Sequence, residues 1–274
     1  MIAYISEMLS YPFMSRAFIT GLFISAAASC IGVNLVLRHF AMIGDGLSHS
    51  GFGALAVAVA LHQSPFLISL PAVLLCATLI LSFFQKIKLP SDASIAMLSS
   101  VSLSVGVMVL SVTTGMNTDV CNYLFGSILG MKVNDMYITM GLCSAVVLIY
   151  ILMYNNFFAV TFDSEFARAA GIKVGRCNFI LAMMCAVIIA VGMKMMGALL
   201  ISNLIVMPAL TAMRVCKRYM ITVIYSIGLS IFCFISGLTI SYSFSTPTGA
   251  SIVLVNLALF IIHCLIASLK RRCI

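Results

Sequence analysis

Asp45 and His49 are four residues apart in the segment Gly44-Asp45-Gly46-Leu47-Ser48-His49. On a helix, that spacing puts a carboxylate and an imidazole on one face, one turn apart. An oxygen donor and a nitrogen donor so placed can hold a divalent transition metal. Ser48 stands beside them and could orient them or line the same path. The plainer reading is a structural polar pair that satisfies neighbouring helices. Either way the placement is expensive. The chain has only seven acidic residues and four histidines, and this segment runs apolar to Leu61. An ionisable group at mid-bilayer costs about 2.5–3.5 kcal/mol on insertion scales, and such groups mark function by default.

Composition decides what must position the pair. Of 274 residues, 63% are hydrophobic and 8% charged, with a mean hydropathy of +1.20. A soluble domain carries about 25% charged residues. The expected class is therefore an all-α, polytopic membrane bundle forming one domain over residues 1–274, bathed in lipid. The net charge of +8 does not indicate nucleic acid, because the basic residues sit at the ends of apolar runs. The ten cysteines are scattered with no CxxC pair, which reads as buried free thiols. No basic stretch precedes the first apolar run, so a cleaved leader is not expected.

A crossing helix needs about 20 apolar residues. Nine candidates emerge: 17–37, 43–62, 65–84, 93–114, 136–154, 178–193, 196–213, 219–242 and 250–269. The uncharged run 219–269 would make one helix of about 77 Å, more than twice the bilayer core. Ser245-Thr246-Pro247-Thr248-Gly249 supplies the turn that divides it. Residues 177–213 are also too long for one crossing, and Lys194, between Gly192 and Gly197, marks the expected break. The two pieces are then short, which leaves a broken or re-entrant arrangement and an eight-crossing count open.

Orientation follows from the basic residues. Alternating loops gather Arg38, Lys86, Lys88, Arg168, Lys173, Arg176, Arg214, Lys217, Arg218, Lys270, Arg271 and Arg272 on one side, 12 of the 15. That asymmetry predicts nine crossings, a cytoplasmic C-terminus and an outside N-terminus. Counted from Arg38 along an unbroken helix, Asp45 lies about 10 Å and His49 about 16 Å deep. Unwinding at Gly44 and Gly46 would change both depths.

Two further segments carry a signal. In Asp163-Ser164-Glu165-Phe166-Ala167-Arg168-Ala169-Ala170-Gly171, Asp163 or Ser164 can cap a short helix and Gly171 can end it. Within the basic-side loop 161–177 that helix would present Phe166, Ala167 and Ala170, either as an ordinary surface or as a docking site for a soluble partner. In Gly197–Pro208, Pro208 would kink the helix. Ser202 and Asn203 either bond to neighbouring helices or line a pathway. There is no GxxxxGK[ST], no HExxH and no GxSxG in the chain, so ATP is not bound through a P-loop and neither protease signature is present.

Together these stretches resemble the membrane permease subunit of ABC-type zinc, manganese and iron importers, most closely the bacterial zinc permease. The resemblance rests on Arg38 followed by Gly44-Asp45-x-x-x-His49; on Asp163-x-Glu165-x-Ala167-x-x-x-Gly171; on Gly197-Ala198-Leu199-Leu200-x-x-x-Leu204-x-x-x-Pro208; and on Pro247-x-Gly249-x-x-Ile252-Val253-Leu254-Val255. They stand in the family's order and span nearly the whole chain. The resemblance implies the ABC importer permease fold in a bacterial inner membrane, working as a homodimer. It also implies cytoplasmic ATPase subunits and a periplasmic metal-binding protein. Asp45 and His49 would line the metal path, and Asp163, Glu165, Phe166, Ala167 and Gly171 would couple to the ATPase. No permanently bound cofactor and no catalysis by this chain are implied; the ion, zinc first, is cargo. Where zinc permeases can carry a histidine in the fourth crossing, this chain has Ser100. The rivals are an ion-coupled secondary transporter using Asp45, and a membrane enzyme. The chain lacks a second Asp-x-x-x-His for the first and a richer polar constellation for the second.

Overall fold

The computed structural model describes residues 11–63, 65–80, 91–113 and 133–272. All regular structure among them is helical: α1 (Pro12–Leu37), α2 (Ile43–Ala60), α3 (Pro65–Thr78), α4 (Ser91–Thr113), α5 (Val133–Leu152), α6 (Tyr154–Phe162), α7 (Ser164–Ala169), α8 (Val174–Met196), α9 (Ala198–Val215), α10 (Tyr219–Phe244) and α11 (Thr248–Arg272). The end of the third candidate crossing (81–84), together with Lys86, Lys88 and Lys132, lies outside the described residues.

Among the described residues, seven helices (α1, α4, α5, α8, α9, α10 and α11) are long and apolar enough to cross a membrane. The other two that the sequence counted differ in kind. α2 has 18 residues but carries Asp45 and His49, and α3 has 14 with Pro71 inside. The turn expected after residue 242 is present: Ser245 ends α10 in the left-handed conformation, and the Ser241 hydroxyl donates to the Thr246 carbonyl at 2.6 Å.

The expected break at Lys194 is corrected. α8 runs through Lys194 for a full 23 residues, and the chain turns at Gly197, whose φ of 86° favours a residue without Cβ. Lys194 can stay helical because its ammonium meets the Asp135 carboxylate at 2.9 Å, tying the end of α8 to the start of α5. The basic-side loop is also more helical than the sequence indicated. α6 fills 154–162, and residues 174–177 already belong to α8.

α8 and α9 are the shared wall of the bundle. Each packs against both α1 and α2. On one side α5 and α10 pack on α1; on the other α3 and α4 pack on α2. Close approach depends on missing side chains. A Cβ on Gly32 of α1 would stand 1.9 Å from the Ile205 carbonyl oxygen of α9, and one on Gly53 of α2 would stand 2.6 Å from the Ser102 carbonyl oxygen of α4. Small residues at such contacts let helix backbones approach where lipid gives no hydrophobic drive between helices.

Candidate metal-path site

The site is built on the first two turns of α2. Residues 38–42 are not helical, and α2 begins at Ile43. The depth reckoned from Arg38 therefore does not hold. Counted along α2, Asp45 is about 3 Å and His49 about 9 Å from the helix start. Arg38 itself is half-buried, donates to Asn178 Oδ1 at 2.5 Å and lies over the Phe40 ring. Burial pushes its guanidinium below the usual arginine value. It pins the end of α1 to the start of α8, not to the pair.

Most of α2 is taken up by neighbours. Gly44 faces Ser202 of α9, Gly46 faces Ile95 of α4, and Gly51 faces Met193 of α8. What remains is the face carrying Asp45, which is exposed, and His49, which is half-buried. His49 Nε2 lies 3.6 Å from Asp45 Oδ1. That is too long for a hydrogen bond. It is close to the ~3.3 Å edge of a tetrahedron with metal–ligand bonds of about 2.05 Å. His49 Nδ1 is buried and has no hydrogen-bond partner among the described residues. Each chain offers these two donors. No cluster of three or more His, Cys, Asp or Glu occurs among the described residues.

Ser48 points away from this face. Its hydroxyl is 2.7 Å from the Gly44 carbonyl and 3.0 Å from the Ser202 hydroxyl, which in turn reaches the Ala198 carbonyl at 3.1 Å. Ser48 and Ser202 thus join α2 to α9, the helix-bonding reading of the two considered. Asn203 is half-buried with Oδ1 unpartnered, and no described hydrogen bond joins it to Asp45 or His49.

The capped helix of the basic-side loop is α7. Asp163 Oδ1 accepts from the Glu165 and Phe166 amides at 3.0 and 2.9 Å. At the other end the Gly171 amide donates to the Arg168 carbonyl and the Ile172 amide to the Ala167 carbonyl, a Schellman closure that uses the left-handed φ of 83° at Gly171. Phe166 is 67% exposed and Glu165 is exposed beside it. The expected presentation of Ala167 is corrected: it is fully buried, because the short helix anchors to the bundle through that position. Phe166 and Ala170 remain outward.

Sequence reasoning missed a buried polar knot nearby. Tyr219 at the start of α10 donates to Asn34 Oδ1 of α1 and lies 2.9 Å from the Tyr150 hydroxyl of α5. Its ring also meets Tyr154, Phe158 and Phe162, the last adjacent to Asp163. The only signal in the sequence was Asn34, a lone amide in an apolar run.

Residues 10–267 match the ABC 3 transport family. The chain belongs to that family. Over 92% of its length it is 30% identical to the high-affinity zinc uptake system membrane protein ZnuB of Haemophilus influenzae, covering 97% of that protein. It is 28% identical over 98% of its length to the manganese import system permease protein ScaB of Streptococcus gordonii, covering 96% of that protein. The solved structure of PsaBC from Streptococcus pneumoniae in complex with Fab superposes with a TM-score of 0.84 at 29% identity, covering 96% of this chain and 95% of that one. This ABC 3 family member is a multi-pass membrane protein and a transport component rather than an enzyme.

Proposed function

We propose that the chain is the permease of an ATP-driven importer that passes a divalent transition-metal ion, zinc first, into the cytoplasm. The observation that carries this is the Asp45–His49 pair, two donors 3.6 Å apart on a face of α2 that the other described helices leave open. The named relatives handle zinc and manganese. Two donors make a weak site. A second copy of the chain, facing the first across a dimer axis, supplies four, the number a tetrahedral zinc site takes. Two carboxylates and two imidazoles can also serve manganese when waters complete an octahedron, and Ser100 adds no imidazole in α4.

A conducted ion must leave as well as bind. Holding the ion between copies meets that need, because rocking the copies apart breaks the site. The drive comes from elsewhere, since the chain has no P-loop. Cytoplasmic ATPase subunits dock on α7 through Phe166 and Glu165, and Asp163 and Gly171 keep that helix in shape. A periplasmic or extracellular binding protein delivers the ion on the opposite face. This reading takes α2 and α3 as crossings too, nine in all, in a bacterial inner membrane with the C-terminus cytoplasmic.

The test is uptake into vesicles holding the chain with its ATPase and binding-protein partners. Zinc uptake should need ATP inside, and excess zinc should suppress it more than equal manganese. Uptake driven by an ion gradient without the ATPase would overturn the reading. Stronger suppression by manganese would reassign the cargo.

A further inference from the structure

A groove of about 430 Å³ runs between α5–α6 and α10. Its walls include Val147, Tyr150, Ile151 and Asn155 on one side and Met220 and Ile224 on the other. The order of these residues gives the groove a direction. From Val147 to Asn155 the chain moves toward the end of α5 and into α6, and from Ile224 back to Met220 it moves toward the start of α10. Both walls therefore lead to the same end of the bundle. There the lining turns polar at Asn155, and the chain entering α10 carries Lys217 and Arg218, both exposed. The other end is apolar. That end is formed by Val147 and Ile227, and along the walls Ile151, Ile224 and Met220 are each about three-fifths exposed (63%, 59% and 59%).

Position in the bundle decides what covers it. α5 and α10 pack on α1, across the α8–α9 wall from α3 and α4, which flank the helix bearing Asp45 and His49. A dimer that closes on the pair leaves α5 and α10 on its outer flank, toward lipid. A slot apolar within and cationic at its mouth matches a molecule with an apolar chain and an anionic head. We infer that this groove binds an anionic phospholipid, one acyl chain lying between α5 and α10 and the phosphate against Lys217 and Arg218. The groove floor is Tyr150, whose hydroxyl meets Tyr219, so a bound chain rests on the knot that joins α10 to α1. The inference rests on the membrane location of the chain and on the proposed dimer across Asp45 and His49, and not on which ion is the cargo.

Native mass spectrometry of the full chain in detergent, with added dioleoyl phosphatidylglycerol or dioleoyl phosphatidylcholine, tests it. Wild type should keep phosphatidylglycerol about tenfold better than phosphatidylcholine, given the attraction of two basic residues near an anionic surface. The double variant Lys217→Ala, Arg218→Ala should lose that preference while still holding either lipid through the groove. Ile224→Trp, which fills the slot, should lose both adducts while the chain keeps its oligomeric state. Equal retention of the two lipids by wild type overturns the inference, as does a preference that survives in the double variant. If Ile224→Trp splits a dimer, the groove is covered by a second copy and not by lipid.

Discussion

The Ser48 hydroxyl lies 3.0 Å from the Ser202 hydroxyl, and this contact sets the face that α2 turns toward α9. With Ser48 held there, Asp45 and His49 point to the side that the described helices leave open. Replacing either serine by alanine should cost about 1 kcal/mol, the net worth of an ordinary hydrogen bond. The double variant should cost less than the sum of the two, because one interaction is removed in each case. Thermal melting of the four proteins in detergent measures this. Strictly additive losses would mean the hydroxyls do not interact.

Two glycines should behave very differently. A Cβ on Gly32 meets the Ile205 carbonyl oxygen at 1.9 Å, a backbone atom that cannot rotate away, whereas for a Cβ on Gly44 the nearest atom of another helix among the described residues is Ile205 Cδ1 at 3.6 Å. Gly32→Ala should separate α1 from α9 and lower folded yield severely, beyond the roughly 1–3 kcal/mol of ordinary overpacking. Gly44→Ala should leave yield and melting close to wild type. Size-exclusion profiles and melting curves of the two variants make the comparison.

On α7, a fold effect and a docking effect should separate. Phe166→Ala removes an exposed ring and should leave melting unchanged while abolishing ATPase stimulation by the loaded binding protein. Asp163→Ala removes an acceptor of two amides and should cost about 0.5–2 kcal/mol locally. Gly171→Ala forces a Cβ into the left-handed region at about 1–2 kcal/mol. Normal ATPase stimulation in Phe166→Ala would remove α7 from the coupling path.

The Asp135–Lys194 pair predicts a charge-reversal result. Asp135→Lys and Lys194→Asp should each lower melting, by placing like charges 2.9 Å apart where a contact now stands. The double reversal should recover most of the loss. Failure to recover would show that the geometry at the α5–α8 junction, rather than the charge pair, holds those helices together.

Apolar run length and turn residues made most helices readable: Ser245 and Pro247 divided 219–269, and Asp163 and Gly171 bounded α7. Breaks and contacts between distant segments were harder. Lys194 looked like an interruption because a lone charge in an apolar run is costly, and its neutralising partner, Asp135, is 59 positions away in the chain. The depth of His49 failed for a related reason. A left-handed His39, with φ of 59°, restarts the helix count, and no glycine or proline announces it. Ser202 and Ser48 were both noticed, but only packing of α2 on α9 could show that they meet. That Asp45 and His49 share one face of α2 was legible from their i, i+4 spacing, and their cost in a membrane singles them out as candidates. In the dimer proposed above a second pair of donors comes from the other copy, which the sequence of one chain cannot display.

Zinc uptake by His49→Ala, in vesicles where the permease and its ATPase remain assembled, tests the role of the pair most directly. Loss of the imidazole takes two of the four donors from the proposed dimer, so uptake should fall to background while the complex elutes unchanged. Uptake at the wild-type rate would contradict the assignment of Asp45 and His49 to the metal path.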